Sequence, residues 1–215
     1  MQSRTSIIGA ENGRKVRFNM DMNSVQLSGW VSRAGIKDGQ YPWGWVKLDM
    51  PGLQPPATQP IPPHSLFLGF NVKTDKDKSQ VDRLKQGGWI TAWDCTLTSR
   101  PLPDQPEKER RGLQGYSNKL FVSPTRGKEE NLVVLAGRVE DTFGNEWIRL
   151  GFSYRNPKAP EGTDPWKKRF IKVYVPGGHQ VQTGKMVYIR GVVSSKTPSG
   201  EDDVIVISKI LNAIF

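Results

Sequence analysis

Residues 131–152 read NLVVLAGRVEDTFGNEWIRLGF, and residues 24–50 read SVQLSGWVSRAGIKDGQYPWGWVKLDM. Each stretch contains leucine, a small residue, glycine, any residue and valine, at residues 135–139 and 27–31. Each then passes through a turn region into tryptophan, a β-branched residue, a cation and leucine, at residues 45–48 and 147–150. Internal repetition on this scale indicates a structural unit that occurs twice in the chain.

Both halves alternate apolar and polar residues with a period of two, which is typical of β-strands. In the first half the alternation predicts strands at residues 24–33, 43–49, 65–72, 88–97 and 117–123. In the second half it predicts strands at residues 132–140, 146–154, 168–175, 185–193 and 203–211. The best helical pattern covers residues 76–86, whereas the corresponding residues 177–182 leave room for barely a turn. The sequence therefore predicts an all-β protein of two tandem five-stranded barrels, with one short helix in the first.

This inventory divides the chain into an N-terminal extension (1–22), a first barrel (23–123), a linker (124–130) and a second barrel (131–215). The loops differ more than the strands do, as is usual for surface connections. Residues 51–64 are rich in proline and are predicted to be extended. Residues 101–115 form a charged insertion, which we predict to be a mobile loop before the fifth strand.

Five strands with a helix between the third and fourth is the strand order of the OB fold, which binds oligonucleotides and oligosaccharides. The second half also resembles the single-stranded DNA-binding proteins of bacteria and phages. This resemblance rests on VLAGRV at residues 134–139, KRFIKVYV at 168–175 and GKMVYIRG at 184–191. It implies two OB-fold barrels that bind single-stranded DNA across the second and third strands.

One feature of that family is missing from this sequence. Its members often end in an acidic tail that recruits partner enzymes, whereas residues 208–215 read SKILNAIF with no acidic run. Together with the duplication, this departure favours a protein encoded by a phage or a mobile element. It leaves recruitment of replication or recombination proteins through such a tail in doubt.

The charge balance points to a polyanionic partner. The chain holds 31 Lys and Arg against 21 Asp and Glu, a net charge of +10, and such an excess attracts nucleic acid. No run of about 18 apolar residues is present, so we expect no membrane span. Cys95 is the single cysteine, which excludes an internal disulfide and, with no secretory signal, favours the cytoplasm.

Aromatic residues beside cations are what sequence-tolerant binding of single strands requires, because bases stack on rings while phosphates meet positive charge. If Val46 and Leu48 face the interior, Trp45 and Lys47 face outward together. Phe67 and Phe70 have opposite parity, so only one of them can face outward. The residues predicted to stack on bases are Tyr41, Trp43, Trp45, Trp147, Tyr154, Trp166, Phe170 and Tyr174. We assign Trp30, Trp89 and Trp93 to the cores or barrel ends.

Phosphate contacts are predicted where cations lie next to these aromatic residues, above all at residues 167–169, which have no acid after Asp164. The predicted phosphate-binding residues are Lys47, Arg149, Arg155, Lys167, Lys168, Arg169 and Lys172. Residues 107–111 mix acids with cations, and we interpret them as a solvated loop.

Catalytic chemistry finds little support in the sequence. His64 and His179 lie in loops without a second ligand at metal-binding spacing. Cys95 alternates with apolar residues and is predicted to be buried. No glycine-rich phosphate loop occurs, and residues 201–203 are interpreted as a hairpin turn. We therefore expect no enzyme activity, no metal and no cofactor.

The sequence thus predicts a protein that coats single-stranded DNA without strong sequence preference, in replication, recombination or repair. Two alternatives stay open at this point. One is an RNA-binding OB-fold protein, since no motif marks contact with a 2′-hydroxyl. The other is a protein–protein assembly module, with the proline-rich loop as its docking strip.

Overall fold

The computed structural model describes residues 9–11, 14–16, 21–40, 42–55, 60–102, 104–155, 161–163 and 166–214. These residues form thirteen strands, one α-helix and one 3-10 turn. In chain order the elements are β1 (Gly9–Glu11), β2 (Arg14–Val16), β3 (Met22–Lys37), β4 (Trp43–Met50), β5 (His64–Asn71), α1 (Asp75–Lys85), β6 (Trp89–Leu102), β7 (Gln105–Gly115), the 3-10 turn (Ser117–Lys119), β8 (Leu120–Ser123), β9 (Asn131–Phe143), β10 (Trp147–Arg155), β11 (Trp166–Tyr174), β12 (Met186–Lys196) and β13 (Asp202–Ala213).

The strands of the first half pair in a closed ring of five. β4 is antiparallel to β3 and β5, β5 is parallel to β7, and β6 closes the ring by pairing with β7 and β3. Helix α1 connects the third strand of the ring to the fourth. This is the strand order of an OB fold.

The second half repeats the ring. β10 is antiparallel to β9 and β11, β11 is parallel to β13, and β12 pairs with β13 and β9. The two rings also share a seam, because residues 22–27 of β3 pair antiparallel with residues 131–136 of β9. The result is one eleven-stranded sheet that contains both rings. The predicted fold class, two tandem five-stranded OB folds, is confirmed.

Alternation along the strands sorts the side chains as the sequence predicted. On β4 the fully buried Val46 and Leu48 alternate with the more exposed Trp45 and Lys47. β5 behaves in the same way, with Leu66 and Leu68 inside the ring. Burial of such aliphatic side chains stabilises each ring by roughly 1.5–3 kcal/mol per residue.

Helix α1 begins with a capping box. The Thr74 hydroxyl accepts a hydrogen bond from the Asp77 backbone N–H, and the Asp77 carboxylate accepts one from the Thr74 backbone N–H. The Ser117 hydroxyl also donates to Asp77. Partial burial would raise the pKa of Asp77, but hydrogen bonds from Ser117, Lys73 and Thr74 outweigh it and lower that pKa to about 2. The helix ends near Gln86, and Val81 and Leu84 anchor it in the core. It is too short and polar to span a membrane, and the described residues contain no other α-helix.

Nine of the ten predicted strands and the helix are confirmed, but the fifth strand of the first half is wrong. That strand is β7, in the region predicted to be a mobile loop, and the predicted strand at 117–123 is a 3-10 turn followed by the short β8. β8 pairs only with β6, outside the ring. The prediction failed because β7 is charged on both faces: Glu109 and Arg111 face the second half of the protein rather than a hydrophobic core.

One further difference concerns the N-terminal part. β1 and β2 form a two-stranded hairpin that the sequence did not indicate. Residues 177–182 form no helix and no strand, in agreement with the prediction that this segment has room for barely a turn. The segment 124–130 also lacks helix and strand, and it is tied to β3 because the Ser28 hydroxyl donates to the Lys128 carbonyl at 2.6 Å.

Three elements of the first half cover the second ring. Leu53 and Ile61, which face each other across the proline-rich loop, pack with Trp147 and Tyr174. The hydroxyl of Ser99, on β6, accepts a hydrogen bond from the backbone N–H of Phe170 at 2.9 Å. The third element is β7, whose ion pairs with the second half are described below.

Candidate nucleic-acid interface

The outer side of β3, β4 and β5 displays aromatic rings and cations in three rows. Residues directly opposite each other in a sheet share one face. The rows are Lys37–Trp43–Asn71, Gly35–Trp45–Gly69 and Arg33–Lys47–Phe67. We define the first-half face by its aromatic and cationic members, which are Arg33, Lys37, Trp43, Trp45, Lys47 and Phe67.

Two glycines leave room for the two indoles of this face. A β-carbon at position 35 would lie 2.9 Å from the Trp45 ring, so the ring of Trp45 extends across β3. A β-carbon at position 69 would lie 3.4 Å from the ring of Trp43, which extends across β5. The indoles therefore lie over glycine positions on either side of β4.

Phe67 completes the aromatic part of the face. Its ring centroid lies 6.1 Å from that of Trp45, and the Lys47 Nζ lies 6.0 Å from the Phe67 centroid. Phe67 is 56% exposed and Trp43 is 41% exposed, both unusual for large hydrophobic residues. Of these two phenylalanines with opposite parity on β5, Phe67 faces outward, while Phe70 is buried in the core.

The cations of this face are not neutralised. Arg33, Lys37 and Lys47 form no ion pair with any residue that the structure describes. Asp49 lies on the same side of β4, at the end of the strand, where it accepts a hydrogen bond from the Ser65 hydroxyl at 3.2 Å. The face therefore combines open rings with uncompensated positive charge.

The corresponding face of the second half begins with an aromatic row, Phe143–Trp147–Tyr174. The centroids of Trp147 and Tyr174 are 5.0 Å apart, and the Tyr174 hydroxyl donates to Glu146 at 3.0 Å. Burial and the hydrogen bond to Glu146 raise the pKa of Tyr174 to about 12. Tyr174 is only 3% exposed, so its ring has no side open to a base in this structure, contrary to the stacking prediction.

The next row of the second half, Asp141–Arg149–Lys172, is engaged in ion pairs. Arg149 lies 4.0 Å from the centroid of Phe170 and 3.5 Å from Glu109, and Lys172 lies 3.3 Å from Asp203. Arg111 joins both acids, at 3.0 Å from Glu109 and 2.9 Å from Asp203.

We call these five charged residues the inter-half network: Glu109, Arg111, Arg149, Lys172 and Asp203. In this structure its two predicted phosphate ligands, Arg149 and Lys172, hold the two halves together, and Phe170 is half-buried beneath Arg149. The acidic partners come from β7 and β13, which sequence analysis had interpreted as a solvated loop and a turn.

The β10–β11 hairpin carries the remaining predicted residues. Trp166 and Lys167 are exposed at its end, and Lys168 pairs with Glu140 at 2.8 Å. The Arg169 guanidinium lies 3.9 Å from the centroid of Tyr154. By register, Tyr154, Lys167 and Arg169 lie on the hairpin side opposite to Trp147 and Phe170, so these predicted residues do not form one strip.

Two predicted residues cannot be placed. Tyr41 lies outside the described residues, and Arg155 ends β10 with a side chain that is likewise outside them.

Sequence reasoning missed Arg33, Lys37 and Phe67. β3 contains a bulge between Val31 and Arg33, which reverses the alternation of the strand. Parity counted from the core residues of β3 therefore puts Arg33 on the wrong face. Trp30 and Trp93, which were assigned to the cores or barrel ends, do not lie in a core, because they are 41% and 43% exposed. Trp89, at 4%, is buried as predicted.

The two histidines and the cysteine that were considered for catalysis are buried or contact backbone carbonyl groups. His64 is mostly buried, its Nδ1 lies 3.2 Å from the Pro62 carbonyl, and burial lowers its pKa. His179 contacts the Trp147 carbonyl at 3.3 Å. Cys95 is buried, and its burial raises the pKa of the thiol to about 12. The described part of the chain brings no three His, Cys, Asp or Glu residues together as metal ligands.

Comparison with known proteins gives matches among solved structures. No protein-family model matches the chain, and no curated protein matches its sequence. The structure is similar to that of wild-type single-stranded DNA binding protein from Thermus aquaticus, with a TM-score of 0.63, 15% identity, and coverage of 91% of this chain and 94% of that chain. A deletion mutant of the same Thermus aquaticus protein matches with a TM-score of 0.63, 14% identity, and coverage of 91% and 95%. At this identity the likeness establishes a shared fold across both rings.

Proposed function

We propose that this protein binds single-stranded DNA on the first-half face, without strong sequence preference. The observation that carries the proposal is the three-strand surface on which Trp43, Trp45 and Phe67 lie among three cations that no described acid neutralises. Function here is binding rather than catalysis.

The physical chemistry of the face suits a single strand. Bases that stack on Trp43, Trp45 and Phe67 each gain about 1–3 kcal/mol, and every base has a π-face to offer. Arg33, Lys37 and Lys47 contact phosphates and release condensed counterions, which makes the affinity depend on salt. A duplex keeps its base faces stacked inside the helix and gains only the electrostatic part.

The second half contributes in a different way. Trp166 and Lys167 are exposed on the β10–β11 hairpin and extend the binding surface beyond the first-half face. On this hairpin Lys168 pairs with Glu140, and Arg169 contacts the ring of Tyr154. Arg155 lies at the end of β10. Arg149 and Lys172 maintain the packing of the halves, together with Phe170, Trp147 and Tyr174.

The biological setting is part of the same proposal. A protein that covers single strands serves replication, recombination or repair, inside the cell and beside the enzymes of those processes. A phage or mobile element as the source stays a proposal from the sequence, and the duplicated architecture does not distinguish it, since the match to the Thermus aquaticus protein extends across both rings. The likeness in fold to a single-stranded DNA binding protein supports this setting.

Fluorescence anisotropy with labelled oligo-dT, oligo-rU and a duplex of equal length, at two salt concentrations, tests the function. We expect tight, salt-sensitive binding of oligo-dT and much weaker binding of the duplex. Trp45→Ala and Phe67→Ala should each weaken oligo-dT binding at least fivefold, the lower limit for loss of one stacked base of about 1 kcal/mol.

Trp93→Ala is the matched control, because Trp93 is as exposed as Trp43 but pairs with Phe121, with centroids 4.8 Å apart, on β6 and β8. Equal losses for the control and the test variants would contradict the proposed face. Binding of oligo-rU in preference to oligo-dT would favour an RNA-binding protein, and absence of binding to any strand would favour an assembly module.

A further inference from the structure

Next to the first-half face lies a recess of about 230 Å³. Trp30 and Asp49 are direct partners in the β3–β4 pairing, on the same side of the sheet as Lys47. Asp49 follows Lys47 by two residues, which is about 7 Å along a strand. The recess is lined by Gly29, Trp30, Asp49, Trp89, Arg126 and Glu129, among others. A strand bound on the first-half face therefore reaches it by continuing along β4.

The aromatic wall of the recess is held rigidly. The rings of Trp30 and Trp89 meet edge to face, with centroids 5.6 Å apart at 86°. Trp89 is fixed beneath the segment 124–130, because a β-carbon on Gly127 would lie 2.8 Å from its indole nitrogen and the Arg126 guanidinium lies 5.8 Å from its ring. Trp30, at 41% exposure, offers an immobilised ring surface to solvent.

The charged residues that line the recess are two acids, Asp49 and Glu129, and one base, Arg126. Arg126 forms an ion pair with Glu129, which leaves the Asp49 carboxylate as the uncompensated charge among the residues that line it. One oxygen of Asp49 accepts a hydrogen bond from the Ser65 hydroxyl, and the other forms no hydrogen bond with the part of the chain that the structure describes. This local negative charge stands out in a chain of net charge +10.

A carboxylate only accepts hydrogen bonds, so it discriminates between bases. The exocyclic amino group of cytosine, adenine or guanine donates to a carboxylate, and Asp and Glu accept in this way from the cytosine amino group. The carbonyl oxygen of thymine or uracil at the same position repels it, and these two bases offer a carboxylate only the single ring N–H beside that carbonyl, against the two N–H bonds of an amino group. Stacking on Trp30 does not distinguish bases with an amino group from bases with a carbonyl group. A preference for one kind of base therefore arises at Asp49.

We infer that this recess is a base-reading subsite, in which Trp30 stacks one base of the bound strand and Asp49 selects a base with an exocyclic amino group over thymine or uracil. The inference rests on the proposed function, since the strand must first occupy the first-half face. It adds a local preference to binding that is otherwise tolerant of sequence.

Oligo-dT in which one residue is replaced by dC or by dU, at each position in turn, isolates the amino group. Cytosine and uracil differ at ring position 4, amino against carbonyl. We expect the dC oligonucleotide to bind about threefold to tenfold more tightly than the dU oligonucleotide when the substitution is at the read position, which is the net effect of one typical hydrogen bond at an exposed carboxylate.

Asp49→Asn should reduce the dC over dU ratio to less than twofold, because an amide donates as well as accepts. Trp30→Ala should weaken both oligonucleotides. Asp82→Asn, an equal change of charge on helix α1, should leave the ratio unchanged. Equal affinity for dC and dU at every position, with oligo-dT binding intact, would overturn the subsite and leave the proposed function standing. Loss of the dC over dU preference in Asp82→Asn as well would show that the preference is an effect of net charge. That result would also overturn the subsite. Absence of oligo-dT binding would overturn both proposals.

Discussion

Gly35 shows how a single residue controls the candidate site. It faces Trp45 across the β3–β4 pair, and the space that a side chain would occupy holds the edge of the indole. Glycine weakens a strand interior, and one of its uses there is to allow close approach of another group. The geometry therefore links this glycine to the position of the indole.

Gly35→Val tests this link. Valine favours a strand, so we expect the free energy of unfolding to change by less than about 1 kcal/mol. The added methyl groups displace the Trp45 ring, and oligo-dT affinity should fall severalfold in anisotropy titrations. Gly112→Val on β7 is the control, because the nearest atom to a β-carbon there is 3.8 Å away. Unchanged oligo-dT affinity in Gly35→Val would show that the position of the Trp45 ring does not affect binding of the single strand.

Parity reasoning from sequence succeeded where strands are regular. It placed Trp45 and Lys47 outward and Val46 and Leu48 inward, as the structure has them. It failed for Arg33, because the bulge before this residue leaves no signature in a single sequence. It also could not foresee that Tyr174, outward by parity, would be covered by the other half of the chain.

Helix α1 is predictable as an element because local chemistry defines it. The apolar spacing of Val81 and Leu84 indicates the buried side, and Thr74 with Asp77 gives the start of the helix. The second ring has no counterpart, so residues 175–185 connect its third and fourth strands without a helix.

The capping box gives a pH-dependent prediction. Because the pKa of Asp77 is lowered from 3.8 to about 2 in the folded state, its contribution is present above pH 3.8 and is lost as the pH falls towards 2. Asp77→Asn should lower the free energy of unfolding by about 1 kcal/mol at pH 6, with the difference shrinking towards pH 2. Denaturant melts at several pH values measure this. A difference that is constant from pH 6 to pH 2 would contradict the assignment, and Asp75→Asn is the control.

β7 is the element that sequence reasoning could not find. Leu113 is its one aliphatic side chain in the core, and Glu109 and Arg111 of the same parity belong to the inter-half network, so most of its pattern is that of a charged loop. The Arg111 side chain is only 9% exposed, and it lies between the carboxylates of Glu109 and Asp203.

Arg111→Met should destabilise the protein strongly, by about 3 kcal/mol, because it leaves two largely buried carboxylates without their shared partner. Urea denaturation followed by circular dichroism measures the loss. Adding Glu109→Gln and Asp203→Asn should recover much of it. Arg100→Met, at an exposed arginine of the same β6–β7 hairpin, should change stability by no more than about 0.5 kcal/mol. A small loss in Arg111→Met would show that the network does not hold the halves together.

At the scale of the whole molecule, the duplication is visible in the strands but not in the two faces. We propose that residues 23–123 and 131–215 are two units joined by 124–130, with the β3–β9 seam making one sheet of them. The packing that joins them buries Tyr174 and engages Arg149 and Lys172 on the face of the second unit, where Phe143 stays exposed, and it leaves the first-half face open. From the sequence repeat alone, the two faces are expected to be equivalent. The repeat does not indicate which face packs against the other half of the chain.

Salt dependence tests this asymmetry. Each phosphate contact on a single strand contributes about −0.7 to the slope of log K against log salt. The triple variant Arg33→Gln, Lys37→Gln and Lys47→Gln should therefore flatten the slope for oligo-dT by about 2. The control triple Lys76→Gln, Lys78→Gln and Lys85→Gln on or beside α1 removes the same charge and should change the slope little. Equal slopes for the two triples would mean that binding responds to net charge alone.

The most direct test of the central claim is photo-crosslinking of the protein to an oligo-dT that carries 5-bromodeoxyuridine, with the linked residues identified by mass spectrometry. We expect crosslinks at Trp43, Trp45 and Phe67, which excess unlabelled oligo-dT suppresses. Crosslinks confined to Trp93 and Phe121, or to the covered row of Trp147 and Tyr174, would contradict it.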